Sequence, residues 1–299
     1  MIQTDTLRAI GLMVGAMAFF ALSDLGVKFA ARSLSGAEIF LGFGVIGFVV
    51  FGALTLRAGL TLWSPLFFNR IVVLRNLTEV FATACMVSAL VLAPLSLVAS
   101  ITQAMPLVVT AGAALFLGET VGPRRWIAVL IGMAGVLLIL RPGMTDLSLG
   151  ALLAVGATFG LGARDVITRL VPRGISNLQL VSFAFMVLVP AGVIFVALNG
   201  GFGATNVTDV LWLLFAAATG VLGYYAITAA MRIGDVATVS PFRYTRLLFA
   251  LILATVFLGE RPDGLTLIGA AIVIGSGLFV LLRERMLARR RLSQTAKPR

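Results

Sequence analysis

One short sequence occurs twice in the chain and decides the fold: Phe116-Leu117-Gly118-Glu119 returns as Phe257-Leu258-Gly259-Glu260. The two copies are 141 residues apart (257 − 116 = 141). Other residues repeat at the same spacing, among them Leu12/Leu153, Gly15/Gly156, Ala16/Ala157, Asp24/Asp165, Lys28/Arg169, Arg32/Arg173 and Ser35/Ser176. A single spacing that holds over half of the chain indicates two homologous units.

The composition is that of a membrane protein. Of 299 residues, 60% are hydrophobic and 12% are charged, and the mean hydropathy is +1.08. Soluble domains carry about 25% charged residues, and disordered chains are far less apolar than this one. A membrane span takes about 20 apolar residues, so ten spans use most of the length and leave almost nothing for a soluble domain.

Apolar stretches separated by Gly, Pro and Arg predict ten helices, because long unalternating runs do not suit barrel strands. The expected spans are 7–30, 36–57, 68–91, 94–118, 123–141, 147–170, 177–199, 207–232, 235–259 and 264–283. Five spans per unit is an odd number, so the second unit enters the membrane in the opposite sense, as in secondary transporters. We therefore predict an all-α membrane protein of ten transmembrane helices in two inverted five-helix repeats. The repeats are residues 1–144 and 145–285, followed by a basic cytoplasmic tail at 286–299.

Arg and Lys set the expected orientation. If the N-terminus is cytoplasmic, fifteen of these residues lie on the cytoplasmic side and only Arg32, Arg141 and Arg261 lie outside. Both termini are thus expected on the cytoplasmic side of a bacterial-type inner (plasma) membrane. The net charge of +11 then follows from topology and predicts no nucleic-acid partner. The basic tail is either solvated or in contact with membrane lipid.

Missing residue types exclude much of enzyme chemistry. The chain has no histidine and one cysteine, Cys85, so imidazole catalysis, His metal sites and an intrachain disulfide are impossible. The only lysines, Lys28 and Lys297, do not follow a phosphate-binding glycine loop. We expect no enzyme, no cofactor and no metal site.

Ten helices in a five-plus-five inverted repeat, with a Gly-Glu pair closing the fourth helix of each unit, resemble the drug/metabolite transporter superfamily. More narrowly, they are similar to its EamA-type exporters, over residues 7 to 283. The resemblance implies a secondary transporter that exports small metabolites by alternating access, with amino acids as the first expectation. It also implies a central cavity lined by spans 1, 3, 4, 6, 8 and 9, with spans 5 and 10 at the periphery.

Charged side chains inside spans cost about 2.5–3.5 kcal/mol each at the helix centre, so they should be paired, near an end, or functional. Asp24/Lys28 and Arg75/Glu79 are four residues apart, which predicts pairing within one helix. Arg164 and Asp165 lie near the cytoplasmic end of the sixth span. The expected gating residues are Asp24, Lys28, Arg164, Asp165 and Pro241, and structural pairing or a static kink is the alternative for each.

The expected substrate site breaks the repeat. Arg75, Glu79, Arg243 and Arg246 have uncharged counterparts, and Glu79 and Arg246 lie near the membrane midplane. The substrate-binding candidates are Arg246, Arg243, Arg75, Glu79, Asn76, Thr83, Gln103, Tyr224 and Tyr244, with Thr110, Thr228 and Ser240 nearby. Five bases against three acids within spans leave two positive charges, which suit a substrate carboxylate; the alternative for Arg243 and Arg246 is snorkelling to the interface.

The repeated glycines have structural explanations. Gly118 and Gly259 should stop their helices, which puts Glu119 and Glu260 before the positive N-terminus of the next helix. Gly11/Gly15 and Gly156/Gly160 are G-x-x-x-G spacings that predict close helix packing.

Other functions stay open alongside export. Efflux of lipophilic cations would need uncompensated acids in the cavity, which the surplus of bases opposes. A lipid scramblase or passive channel is the alternative of a different class. Ile274-Gly275-Ser276-Gly277 superficially resembles an intramembrane serine protease, yet the chain has no histidine. Transport direction, energy coupling and oligomeric state are left open.

Overall fold

The computed structural model describes residues 2–118, 122–141, 148–172, 174–233 and 239–295, and these ranges hold helices and turns without a strand. The helices are α1 (Ile2–Ala30), α2 (Gly36–Arg57), α3 (Arg70–Leu92), α4 (Leu95–Thr102), α5 (Met105–Phe116), α6 (Pro123–Leu140), α7 (Leu149–Thr168), α8 (Asn177–Leu198), α9 (Val207–Ile233), α10 (Thr245–Leu258) and α11 (Gly264–Thr295), with 3-10 turns at Pro65–Phe68 and Ser240–Tyr244. Eight segments are long and apolar enough to span a membrane, and Trp126–Leu140 and Gly264–Val280 are shorter apolar helices. The prediction of an all-helical membrane protein with ten spans is confirmed.

The fourth and ninth spans are each interrupted close to a proline. The fourth is broken between α4 and α5, and in the ninth a 3-10 turn precedes α10 at Thr245. The two breaks contain Gln103 and Tyr244, which are equivalent positions of the two repeats, 141 residues apart. Pro106 lies in the first turn of α5, just after the first break, and Pro241 lies at the start of the 3-10 turn that forms the second break. A residue without an N–H is tolerated at both positions. Pro190 lies inside α8.

Helix packing follows the inverted repeat. α1 packs along α9 and α3 along α7, while α2 pairs with α8 and α6 with α11. Exchanging the two units converts the α1–α9 pair into the α7–α3 pair and leaves the other two pairs unchanged. This is the packing expected for two units related by an axis in the membrane plane. The unit boundary at 144 stays a prediction, because residues 142–147 lie outside the described ranges.

Matching capping boxes begin the second helix of each unit. Ser35 with Glu38 starts α2, and Ser176 with Gln179 starts α8. Each capping side chain also reaches a loop of the other unit: Glu38 accepts from the Gly203 N–H at 3.0 Å. Gln179 donates to the Thr61 carbonyl, also at 3.0 Å. The local signal that starts the helix therefore also ties the two units together.

The two G-x-x-x-G pairs differ in their surroundings. A Cβ added at Gly160 would lie 2.9 Å from the Ala82 Cβ, and one at Gly156 would lie 3.2 Å from the Cys85 sulfur. These glycines allow α7 to approach α3 closely, which confirms the prediction for this pair. Gly11 and Gly15 have nothing within 4 Å of an added Cβ, so the same prediction is wrong for them.

The helix-stopping glycines behave as expected, but the acid that follows one of them does not. Gly118 and Gly259 both have φ of +66°, the left-handed conformation that glycine adopts at helix ends. Glu260 does not serve the helix that follows it. Its carboxylate accepts hydrogen bonds from α4 of the other unit. Glu119 lies outside the described residues.

Candidate functional site

Four charged side chains join α3 to α7. Arg75 Nη2 lies 2.8 Å from Glu79 Oε2, and Arg164 Nη1 lies 3.0 Å from Glu79 Oε1. Arg164 also contacts Asp165 Oδ1 through Nη2 at 2.8 Å. The Arg75–Glu79 pair within α3 is confirmed, and Glu79 is shared by two guanidinium groups. We call these four residues the α3–α7 ion network; its formal charge is zero.

The Arg75 and Glu79 side chains of the network lie inside the helical bundle. The side chains of Arg75 and Glu79 are 7% and 14% exposed. Asn76 accepts a hydrogen bond from Arg75 Nη1 at 3.2 Å, so one predicted site residue orients another. Because charges at this depth are costly without partners, the shared carboxylate of Glu79 explains how two arginines are held there.

A second ion pair joins α1 to α10. Arg246 Nη2 lies 2.7 Å from Asp24 Oδ2, and the Arg246 guanidinium carbon lies 5.5 Å from the Phe20 ring centroid. The predicted pairing of Asp24 with Lys28 is wrong, because α10 brings Arg246 against Asp24. Lys28 Nζ instead donates to the Ala93 carbonyl at 2.5 Å. Arg246 is therefore not an unpaired base that waits for a substrate carboxylate.

Arg243 is the basic side chain near these pairs that has no direct partner among the described residues. It is half-buried, and it makes no hydrogen bond or ion pair with any residue in the described ranges. It interacts electrostatically with Asp165 and Arg164 of α7 and with Arg246. The two paired groups are neutral overall, so among the described residues Arg243 supplies one uncompensated positive charge at this place in the bundle.

The other predicted site residues separate into two sets. Tyr224 of α9 interacts electrostatically with the α3–α7 ion network and packs edge-on against Phe51 at 5.1 Å. The Tyr244 side chain instead lies against Gly277 of α11, where its hydroxyl is buried without a hydrogen-bond partner in the described ranges. The Tyr244 side chain thus points towards α11, and its carbonyl contacts Gln103.

Most of the small polar side chains form hydrogen bonds within their own helices. The hydroxyls of Thr110 and Thr228 donate to the carbonyls of Pro106 and Tyr224, four residues earlier. Thr83 is half-buried on α3. The Ser240 side chain lies outside the described part of the chain. Gln103 is the exception, since its side chain donates to the Tyr244 carbonyl of the other unit at 3.0 Å.

The interface equivalent to the network is neutral. The repeat counterparts of Arg75, Glu79 and Arg164 are Ala216, Gly220 and Ser23. Ser23 Oγ donates to the Ala216 carbonyl at 2.7 Å, and a Cβ added at Gly220 would lie 3.3 Å from Ser23 Oγ. Sequence reasoning found the asymmetry at Arg75 and Glu79 but missed their link to Arg164. The signal was present, because the counterpart of Arg164 is also uncharged.

The comparisons with known proteins agree with this fold. The sequence model of the EamA-like transporter family matches residues 7–141 and again residues 148–282. The chain is 33% identical to a riboflavin transporter of Rhizobium johnstonii over 70% of each chain. It is 26% identical to an S-adenosylmethionine uptake transporter of Rickettsia bellii, over 71% of this chain and 72% of the relative.

A solved crystal structure has the same fold, with a TM-score of 0.64 at 20% identity; the match covers 93% of this chain and 98% of that chain. The relatives are named as transporters of riboflavin or S-adenosylmethionine and not as amino-acid exporters. With two consecutive matches to one family across two five-helix repeats, the chain belongs to the EamA-like transporter family of the drug/metabolite transporter superfamily and is an integral membrane protein.

Proposed function

We propose that the protein transports a small uncharged heteroaromatic metabolite of the riboflavin type across a bacterial plasma membrane, with Arg243 as the main polar contact. The observation that carries this proposal is the half-buried Arg243 guanidinium, which has no partner within the described ranges. Guanidinium groups present several N–H donors in one plane, and the ring carbonyls of a flavin are acceptors of matching geometry. The riboflavin transporter at 33% identity supports the same substrate class.

Charge separates the candidate substrates. With the α3–α7 ion network and the Asp24–Arg246 pair neutral, the single charge of Arg243 repels cations. S-adenosylmethionine carries a sulfonium and an ammonium group against one carboxylate, so it is the weaker candidate, as are lipophilic cations. Riboflavin is neutral and adds no charge, and its ring can stack on aromatic side chains such as Phe20 and Tyr224.

Amino acids are the second candidate. A carboxylate would pair with Arg243 through charge-assisted hydrogen bonds. This differs from the prediction from sequence, which gave that role first to Arg246.

The breaks at Gln103 and Tyr244 support alternating access, because transporters place broken helices at central sites. Orientation with both termini in the cytoplasm rests on the Arg and Lys distribution.

Counter-flow in proteoliposomes tests the proposal. Vesicles containing the protein are loaded with unlabelled riboflavin and supplied with labelled riboflavin outside. We expect rapid exchange that unlabelled flavin blocks, while S-adenosylmethionine in tenfold excess leaves it unchanged. Exchange of labelled leucine or phenylalanine without riboflavin exchange would favour the second candidate. Vesicles without protein, and a fluorescent-lipid scrambling assay on the same vesicles, control for passive leakage and for lipid transport.

A further inference from the structure

The helices that carry the charged site form two groups. α1 packs against both α9 and α10, and α7 packs against α3, α4 and α5. α4 of the second group also packs against α10 of the first. The groups meet at the centre through Gln103 and Tyr244. They also meet at the membrane face where α1 ends and α4 begins, which we call the Lys28 face.

On the Lys28 face, Glu260 holds the end of α10 against the start of α4. Its carboxylate accepts the backbone N–H groups of Leu95 at 2.7 Å and Ser96 at 2.9 Å. The Ser96 hydroxyl donates to the same carboxylate at 2.6 Å. The first N–H groups of a helix have no partner within it, and a carboxylate satisfies them while meeting the positive end of the helix dipole. This cap comes from the other repeat, 165 residues away.

Lys28 makes a parallel contact between the same two groups. Its ammonium donates to the Ala93 carbonyl at 2.5 Å, two residues before the N–H that Glu260 accepts. Lys28 and Glu260 also attract each other electrostatically. We name Lys28, Ala93, Leu95, Ser96 and Glu260 the Lys28–Glu260 latch.

A layer of buried apolar side chains lies beneath the latch. Ala99, one turn further along α4 than Ser96, packs in a buried cluster with Ala21 of α1 and with Leu247 and Ala250 of α10. This cluster also joins the two groups. The latch and the apolar layer together separate the Lys28 face from the centre at Gln103.

We propose that Glu260 is a positioning residue for transport, and that the Lys28–Glu260 latch holds the Lys28 face closed and must break each time this face opens. A cap that joined residues of one helix would not respond to motion between groups. This cap has its acceptor in one group and its donors in the other, so separation of the groups breaks all of its hydrogen bonds together. This role of the latch rests on the proposed transport by alternating access, and it is the same for riboflavin and for any other substrate.

Cysteine accessibility tests the latch. Cys85→Ala removes the only native thiol, and Ala99→Cys places a reporter in the buried layer. The reporter protein is reconstituted, and a membrane-impermeant thiol reagent is added from either side in separate experiments. Glu260→Gln removes the carboxylate charge and nearly preserves its shape. We expect labelling from the Lys28 face at least about tenfold faster than in the reporter protein, since several charge-assisted hydrogen bonds are weakened.

Asp263→Asn is the matched control. Asp263 is an acid on the same face that pairs with Arg141 and accepts from the Thr266 N–H at 2.9 Å. Both contacts stay within the α6–α11 pair, so this variant should label at the rate of the reporter protein. Equal acceleration in both variants would overturn the proposal, because it would mean general loosening of the face.

The side from which labelling accelerates distinguishes a gate from a damaged fold. A loosened protein would be labelled faster from both sides, and this outcome, like an unchanged rate in folded Glu260→Gln, would overturn the proposal. If Glu260→Gln does not fold, the same labelling experiment is carried out with Ser96→Ala and with Lys28→Met. Each removes one of the contacts, and we expect a two- to tenfold acceleration from the Lys28 face only. Unchanged labelling in both would overturn the latch.

Discussion

Gln103 donates its side-chain N–H to the backbone carbonyl of Tyr244, its own counterpart in the other repeat. In a pair of related units, a residue that contacts its counterpart lies close to the axis that relates them. The fourth and ninth spans are both broken at this point, and a break in a helix frees backbone carbonyls that need a donor. Gln103 meets that need, so the axis passes through a polar contact and not through apolar packing.

Replacing Arg243 should weaken substrate binding without unfolding the protein. Arg243→Ala removes a guanidinium that has no partner within the described ranges, so no carboxylate is left unpaired there. We expect riboflavin affinity to fall by about ten- to a hundredfold, the value of one charge-assisted hydrogen bond. The concentration dependence of riboflavin exchange in proteoliposomes measures this affinity. Arg261→Ala, at an exposed arginine, is the matched control. Unchanged affinity would show that Arg243 does not contact the substrate.

The Asp24–Arg246 pair should be a source of stability. Arg246→Gln leaves a buried carboxylate without its partner, and Asp24→Asn leaves the guanidinium; each should cost about 3 kcal/mol. The double variant should be less destabilised than the sum of the two, by at least about 1 kcal/mol. Unfolding in detergent completes this cycle, and strictly additive effects would contradict the pairing.

The two acids next to Arg164 should differ in importance. Glu79→Gln leaves Arg75 and Arg164 facing each other without their shared carboxylate, and we expect a loss of about 3 kcal/mol. The Asp165 side chain is 29% exposed and Arg164 keeps its bond to Glu79, so Asp165→Asn should cost below about 1 kcal/mol. Thermal unfolding of the two variants side by side measures the difference. Equal losses would mean that Glu79 is not the shared centre of the network.

Tyr244 and Gly277 should behave as a packing pair. Gly277→Ala places a methyl group where the Tyr244 hydroxyl lies, so we expect strong destabilisation. Tyr244→Phe removes a buried hydroxyl that has no partner in the described ranges, and it should be neutral or stabilising by about 1 kcal/mol. The double variant should recover part of the loss on thermal unfolding. If Tyr244→Phe instead abolished transport at unchanged stability, the hydroxyl would belong to the substrate site.

Reporter fusions test the orientation. Fusions after residues 142 and 202 should report outside the cytoplasm, and a fusion after residue 173 should report inside, because the Arg and Lys distribution predicts that both termini are cytoplasmic. The reverse pattern would put the Lys28 face on the cytoplasmic side.

Much of the fold could be predicted from the sequence because lipid leaves few choices. Apolar runs of about 20 residues must be helices, and the 141-residue spacing gives their arrangement. Hydropathy alone did not locate the breaks after Thr102 and before Thr245, because each span as a whole is apolar enough to cross a membrane. Pro106 and Pro241 marked the positions, but proline alone does not separate a kink from an interruption.

The site was predictable as a set of residues but not as a set of partners. Arg75 and Glu79 pair as their spacing indicates, because both lie on one helix. Asp24 and Lys28 have the same spacing, yet each binds another helix. Spacing along a helix shows which side chains of that helix can pair. Whether Asp24 pairs with Lys28 or with Arg246 depends on how α10 packs against α1. Glu260 illustrates the same limit, since its partners are 165 and 164 residues away.

The α3–α7 interface and its repeat counterpart, α1–α9, differ in charge, and this difference should affect which conformation the transporter adopts without substrate. In a protein made of two identical repeats, the state open to one side and the state open to the other would be related by symmetry and equal in free energy. Here one interface holds Arg75, Glu79 and Arg164, and its counterpart holds Ala216, Gly220 and Ser23. We therefore expect a carrier that alternates between these two states to populate them unequally before any substrate binds, and to be open to one side of the membrane more often than to the other.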